Sequence, residues 1–164
     1  MKKAFFGFIF ASVILVSSVF PQELVGISQV QGDGYFSPLA DKEVVVQGIV
    51  TAIRRSGFYI QTPDEKIDDN QKTSEGIYIF TLDPPASEVT VGSLVEVKGT
   101  VTEFRPKRER YALFLTEIVK PEIKVISTEN PLPALITLTT KNSSKITTSF
   151  AGFVSKKLGG VPSL

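Results

Sequence analysis

A chain of 164 residues with 18 basic and 17 acidic side chains has room for one domain and carries no bulk charge. Any affinity for nucleic acid would therefore have to come from a local patch. The chain contains no His and no Cys, which excludes Ser-His and Cys-His nucleophilic chemistry, His-ligated zinc and a disulfide framework within it.

The first twenty residues stand apart. Met1, Lys2 and Lys3 make a short basic start, Ala4 to Val16 is an almost unbroken apolar run, and Ser17 and Ser18 supply small residues near a cleavage point. This is the order of a secretory signal peptide, and the run is short for a membrane span, which needs about 20 residues. Residues 1–20 are expected to be a signal-peptide helix, the mature protein to be secreted or periplasmic, and no membrane span to remain. Removing the leader takes two of the 18 basic residues and no acid, which moves the net charge from +1 to −1.

Pro21 to Asp41 reads as a leading segment in which Ile27 to Pro38 holds a short strand and then a turn, punctuated by Gly32, Gly34 and Pro38. Five apolar runs follow. Glu43 to Arg54 is the first strand, and its Val44-Val45-Val46 run suits a strand covered on both faces. Gly57 marks a tight turn into Phe58–Thr62, giving a hairpin. Pro63 to Ser74 is a polar, acid-rich loop, and Gly76–Thr81 is the third strand. Asp83-Pro84-Pro85 forbids a regular helix in the next connection. Ser93–Phe104 is the fourth strand. Arg105 to Arg110 is a basic turn, Tyr111–Val119 is the fifth strand, and Glu122–Ile126 adds a short edge strand. Gly48 and Gly99 lie in mid-strand, where glycine permits the bulges and sharp coiling that a small closed barrel needs. Residues 131–164 read as a linker and a poorly ordered tail. The domain itself is expected over 21–130, all-β.

Several segments together resemble a known module. They are Ile27–Gly32 with Ser37–Leu39, Val46–Ala52, Gly57–Gln61, Thr73–Ile79 and Val91–Phe104, closing on Leu132-Pro133. In order and spacing they are similar to the OB-fold domain that precedes the catalytic domain in secreted bacterial nucleases of the endonuclease/exonuclease/phosphatase superfamily. The resemblance implies a five-stranded OB-fold-like Greek-key barrel that presents nucleic acid to a nuclease catalytic domain. That family's catalytic domain, with its metal-binding carboxylates and catalytic His, has no counterpart among residues 131–164. The nuclease activity is therefore not carried over: the expectation is a non-catalytic accessory module, from a truncated gene or free-standing, with no cofactor and no metal.

In barrels of this type the oligonucleotide path crosses strands 2 and 3, bounded by the 1–2 and 4–5 loops. Alternation places Tyr59 and Gln61 on one face of strand 2, with Phe58 and Ile60 in the core. It likewise sets Tyr78 and Phe80 opposite Ile77 and Ile79, although Phe80 also suits a core position. A Tyr59–Tyr78 pair facing outward would stack bases, while aromatic cross-strand pairs are also ordinary sheet furniture. Arg54 and Arg55 at the 1–2 turn and Arg105, Lys107, Arg108 and Arg110 at the 4–5 turn would converge on this face as a phosphate-tracking groove for single-stranded nucleic acid. Glu103 and Glu109 among them would neutralise part of that charge. The alternative is a solvated charge run and a domain that docks on a protein partner. Asp64, Glu65, Asp68, Asp69 and Asn70 carry oxygen ligands at a density that could hold Ca²⁺, but their spacing does not match a twelve-residue calcium loop, and a solvated acidic loop is the expectation.

Overall fold

The computed structural model describes residues 23–68, 70, 72–108 and 111–134. The expected signal peptide, the tail beyond Ala134, and Asp69, Gln71, Glu109 and Arg110 lie outside the described residues.

The strands are β1 (Glu43–Arg54), β2 (Gly57–Gln61), β3 (Gly76–Phe80), β4 (Leu94–Phe104) and β5 (Leu115–Ser127). They close into a barrel in the order β1-β2-β3-β5-β4. Only β3 and β5 run parallel; the other neighbours are antiparallel. This is the OB-like architecture expected from the five apolar runs. Alternation fills the interior: Val44, Val46 and Val50 from β1, Phe58 and Ile60 from β2, Ile77 and Ile79 from β3, Val95, Val97 and Val101 from β4 and Ile118 from β5 form one buried cluster. Burial of a Val, Ile or Phe side chain stabilises by about 1.5–3 kcal/mol. Among the described residues no helix is long and apolar enough to cross a membrane.

Two elements differ from the sequence expectation. Ile27 to Gln31 is a helical turn, α1, rather than a strand. Ile27 and Val30 are both fully buried. Residues three apart share a face in a helix and take opposite faces in a strand, so only the helical form seats both in the barrel mouth. The Gly26 N–H donates to Gln29 Oε1 at 2.9 Å, and Gln31 Nε2 donates to the Gly76 carbonyl at 2.7 Å, tying the plug to the start of β3. Val89, from the helix-free connection between β3 and β4, joins the same core. The second difference is β5, which is one bent strand. It begins at Leu115, leaving Tyr111 in the preceding loop, and it continues through Pro121. Lys120 adopts φ 52°, and the register with β4 shifts between Lys98 and Thr100. Gly99 permits this bend: a Cβ there would lie 2.5 Å from Ile118 Cγ2 and 2.9 Å from the Val119 carbonyl oxygen.

Residues 128–134 do not leave the barrel at once. Asn130 donates from its backbone N–H and from Nδ2 to the Gly92 carbonyl, and the Ala134 N–H reaches Asp64 Oδ2 at 3.0 Å. Pro131 to Pro133, placed in the linker by sequence, thereby line a cavity of about 150 Å³ over Ile49 and Leu94.

Candidate nucleic-acid interface

The register defines one line of side chains across the outside of the barrel. Ala52 on β1 pairs with Tyr59 on β2, Tyr59 with Tyr78 on β3, Tyr78 with Glu117 on β5, and Glu117 with Thr102 on β4. Their neighbours Phe58, Ile77, Ile79, Val101 and Ile118 are buried in the core, so alternation turns this line outward. The β1 bulge between Val50 and Ala52 sets the alignment, because it shifts the strand by one residue and brings Ala52 rather than Thr51 beside Tyr59.

Tyr59 and Tyr78 form the aromatic pair expected from alternation. Their ring centroids are 4.8 Å apart at 44°, and both side chains are half-buried. Gly57 makes room for the second ring: a Cβ at Gly57 would lie 2.6 Å from Tyr78 Oη and would also strike the Ile79 carbonyl oxygen. Tyr78 Oη lies 3.4 Å from Ser56 Oγ in the turn. Burial pushes the Tyr59 phenol above its ordinary 10.0, opposed by the adjacent Arg54 guanidinium and reinforced by Tyr78 and Glu117. Phe80 is half-buried on the same outer side as Tyr78 and is not a core residue.

Gln61 does not join this surface. It lies two residues beyond Tyr59, but it is 3 % exposed and its Oε1 has no hydrogen-bond partner among the described residues. Its β1 partner is Ile49, which is itself buried. Alternation gives the side on which a residue projects and cannot tell how deeply the tertiary fold buries it.

The cationic turns bracket the tyrosines instead of converging. Arg54 and Arg55 are exposed beside Gly57, which pairs with Phe80 at the end of β3. Arg105, Lys107 and Arg108 are exposed in the loop that enters β5 at Leu115, and two residues later Glu117 pairs with Tyr78. Because β5 runs parallel to β3 and β2 antiparallel to it, the turn entering β5 lies at the start of β3 and the turn entering β2 at its end. The five residues of β3 separate the two turns by about 16 Å. Arg110 falls outside the described residues. Glu103 is not among the loop cations: its Oε1 accepts from the Ser37 N–H at 2.6 Å and from Thr116 Oγ1 at 2.9 Å, which joins the leading segment to the barrel mouth.

Two features were not foreseen from the sequence. The Arg105 guanidinium sits 4.4 Å from the Phe114 ring centroid, and Phe114 lies 5.2 Å from Phe36. This cation–π cluster holds the 4–5 loop against the leading segment. The signal was the aromatic content of both segments, but nothing in the sequence joins residues so far apart. The other is Glu117, which is 6 % exposed; burial pushes its carboxyl up to about 7. Alternation from the core residue Ile118 turns it onto the aromatic face, and that was the signal in the sequence.

The acidic loop uses its oxygens internally. Asp68 Oδ1 accepts from the Asn70 N–H at 2.8 Å, and Glu75 Oε1 accepts from the Asp68 N–H at 3.2 Å. Among the described residues no three Asp or Glu side chains gather as a metal site.

Neither a family model nor a curated protein matches the chain. Among solved structures it is similar to a putative aspartyl-tRNA synthetase from Leishmania major Friedlin at TM-score 0.42 and 14% identity, covering 81% of this chain and 26% of that one. A second likeness is to the aspartyl tRNA synthetase from Entamoeba histolytica, at TM-score 0.40 and 16% identity, covering 73% and 26%. The chain spans about a quarter of the length of either structure, and at these scores neither likeness bears on function.

Proposed function

We propose that this barrel is a non-catalytic OB module that binds single-stranded nucleic acid with little sequence preference, as the accessory domain of an extracellular nuclease. The observation that carries the binding is the outward Tyr59–Tyr78 pair, 4.8 Å between centroids, with cationic turns at both ends of β3. Stacking on such a platform contributes about 1–3 kcal/mol per base, and every base has a face to offer. Arg54, Arg55, Arg105, Lys107 and Arg108 follow the phosphates on either side. Export rests on the basic start and apolar run of residues 1–16, and the nuclease setting on the resemblance carried by residues 27–133. The lack of His and Cys supports a role without chemistry of its own.

The test is fluorescence anisotropy with a labelled dT oligonucleotide over a salt series, beside a duplex control. Binding to the single strand that weakens with salt is expected, with about a fivefold or greater loss in Tyr78→Ala. Absence of binding at low salt, or equal affinity for the duplex, refutes the reading. One observation favours a protein-docking role instead: Tyr35, Phe36 and Tyr111 are exposed around the Arg105–Phe114 contact. Reversing the charge of Lys107 and Arg108, with Arg105 kept on Phe114, separates the two, since it should strongly weaken DNA binding and leave an apolar protein contact largely intact.

A further inference from the structure

Glu117 is out of place on a surface that attracts a polyanion. It is only 6 % exposed, and no hydrogen bond or ion pair engages its carboxyl among the described residues. A carboxyl held partly out of water without a partner is costly, and the Glu117 oxygens, which are not fully buried, remain open to a ligand at the surface. A Gln or Thr would fill the same place without that cost. The position is also particular: Glu117 stands one strand from Tyr78 and two from Tyr59 in the same line, about 5 Å and 10 Å across the sheet. A base lying on the Tyr78 ring would direct one edge over β5 toward this carboxyl.

We propose that Glu117 reads the edge of a base stacked on Tyr78 and selects guanine. An ionised carboxylate is acceptor-only, with two oxygens side by side. Guanine offers two adjacent donors, N1–H and N2–H, to such a pair. Adenine and cytosine set one amino donor beside a ring-nitrogen acceptor, which a carboxylate repels. Thymine flanks its single N3–H with two carbonyl oxygens. Since the carboxyl is already partly desolvated in the fold, a ligand that donates to it supplies hydrogen bonds at a reduced desolvation cost. This inference rests on the nucleic-acid reading above and refines it: stacking accepts any base, and Glu117 sets a preference at one position.

The experiment uses the mature chain and labelled dT octamers carrying a single central dG, dA, dC or dT, compared at pH 8, where a carboxyl near 7 is mostly ionised. The dG octamer is expected to bind about tenfold more tightly than the dT octamer, the scale of one bidentate base contact. In Glu117→Gln, whose amide offers one donor and one acceptor, the dG advantage should vanish and the dA or dC octamer should become the preferred ligand, with dT binding retained. Equal affinity of the parent chain for all four octamers overturns the guanine assignment while leaving the binding function standing. A dG advantage that persists in Glu117→Gln overturns the role of this residue. If no octamer binds, both readings fall together.

Discussion

Replacing Glu117 by Gln should stabilise the barrel at neutral and alkaline pH and leave it little changed in acid. The folded-state carboxyl titrates near 7 against an ordinary 4.5, with burial as the cause. Between those values the folded chain holds a proton that the unfolded chain has released, so stability falls as pH rises through the window and levels above it. At about 1.36 kcal/mol per unit the shift corresponds to about 3 kcal/mol at most. Solvent at the outer face of the barrel screens the charge and reduces this to about 1–2 kcal/mol. Gln has nearly the same shape and no proton to lose, so its advantage should be small at pH 4.5, grow to pH 7 and stay constant to pH 8. Urea unfolding at these pH values measures it. With a slope of about 2 kcal/mol/M, the midpoints should separate by about 0.5–1 M at pH 8. Other groups titrate alike in both proteins and cancel in the difference. A gap between the two that does not vary with pH would refute the argument and would mean that Glu117 finds water or a partner in the folded state.

Other outcomes follow from single contacts. Gly57→Ala should cost about 1–3 kcal/mol in thermal or urea unfolding and weaken oligonucleotide binding as well, because the new Cβ strikes the Ile79 carbonyl and displaces the Tyr78 ring. Unchanged tyrosine fluorescence and affinity in that variant would contradict the proposed coupling of turn and platform. Glu103→Ala removes the acceptor of the Ser37 N–H and of Thr116 Oγ1 and should cost about 1–3 kcal/mol, with faster amide exchange at Ser37 as its signature. Replacing Arg54 and Arg55 by Ala should flatten the salt dependence of single-strand binding by about 0.7 in log–log slope for each phosphate that is no longer neutralised. An unaltered slope would place the strand elsewhere.

The five apolar runs with their breakers were enough to establish an all-β barrel, the alternation in Phe58–Gln61 and Ile77–Phe80, and an outward Tyr59–Tyr78 pair, because period-two burial is written locally along each strand. Tertiary structure decided what depends on segments distant in the chain. It made Ile27–Gln31 a helical plug, since five residues are too few to show a period and the barrel mouth needed both Ile27 and Val30. It buried Gln61 beside Ile49, and it brought Pro131 to Pro133 back to line a cavity with Ile49 and Leu94. It parted the two basic turns to opposite ends of β3, since the parallel β3–β5 pairing is a property of closure and not of any strand. It also brought Glu117 beside Tyr78 from a strand far along the chain, where a residue that reads as an ordinary solvated acid becomes a desolvated one facing an aromatic surface.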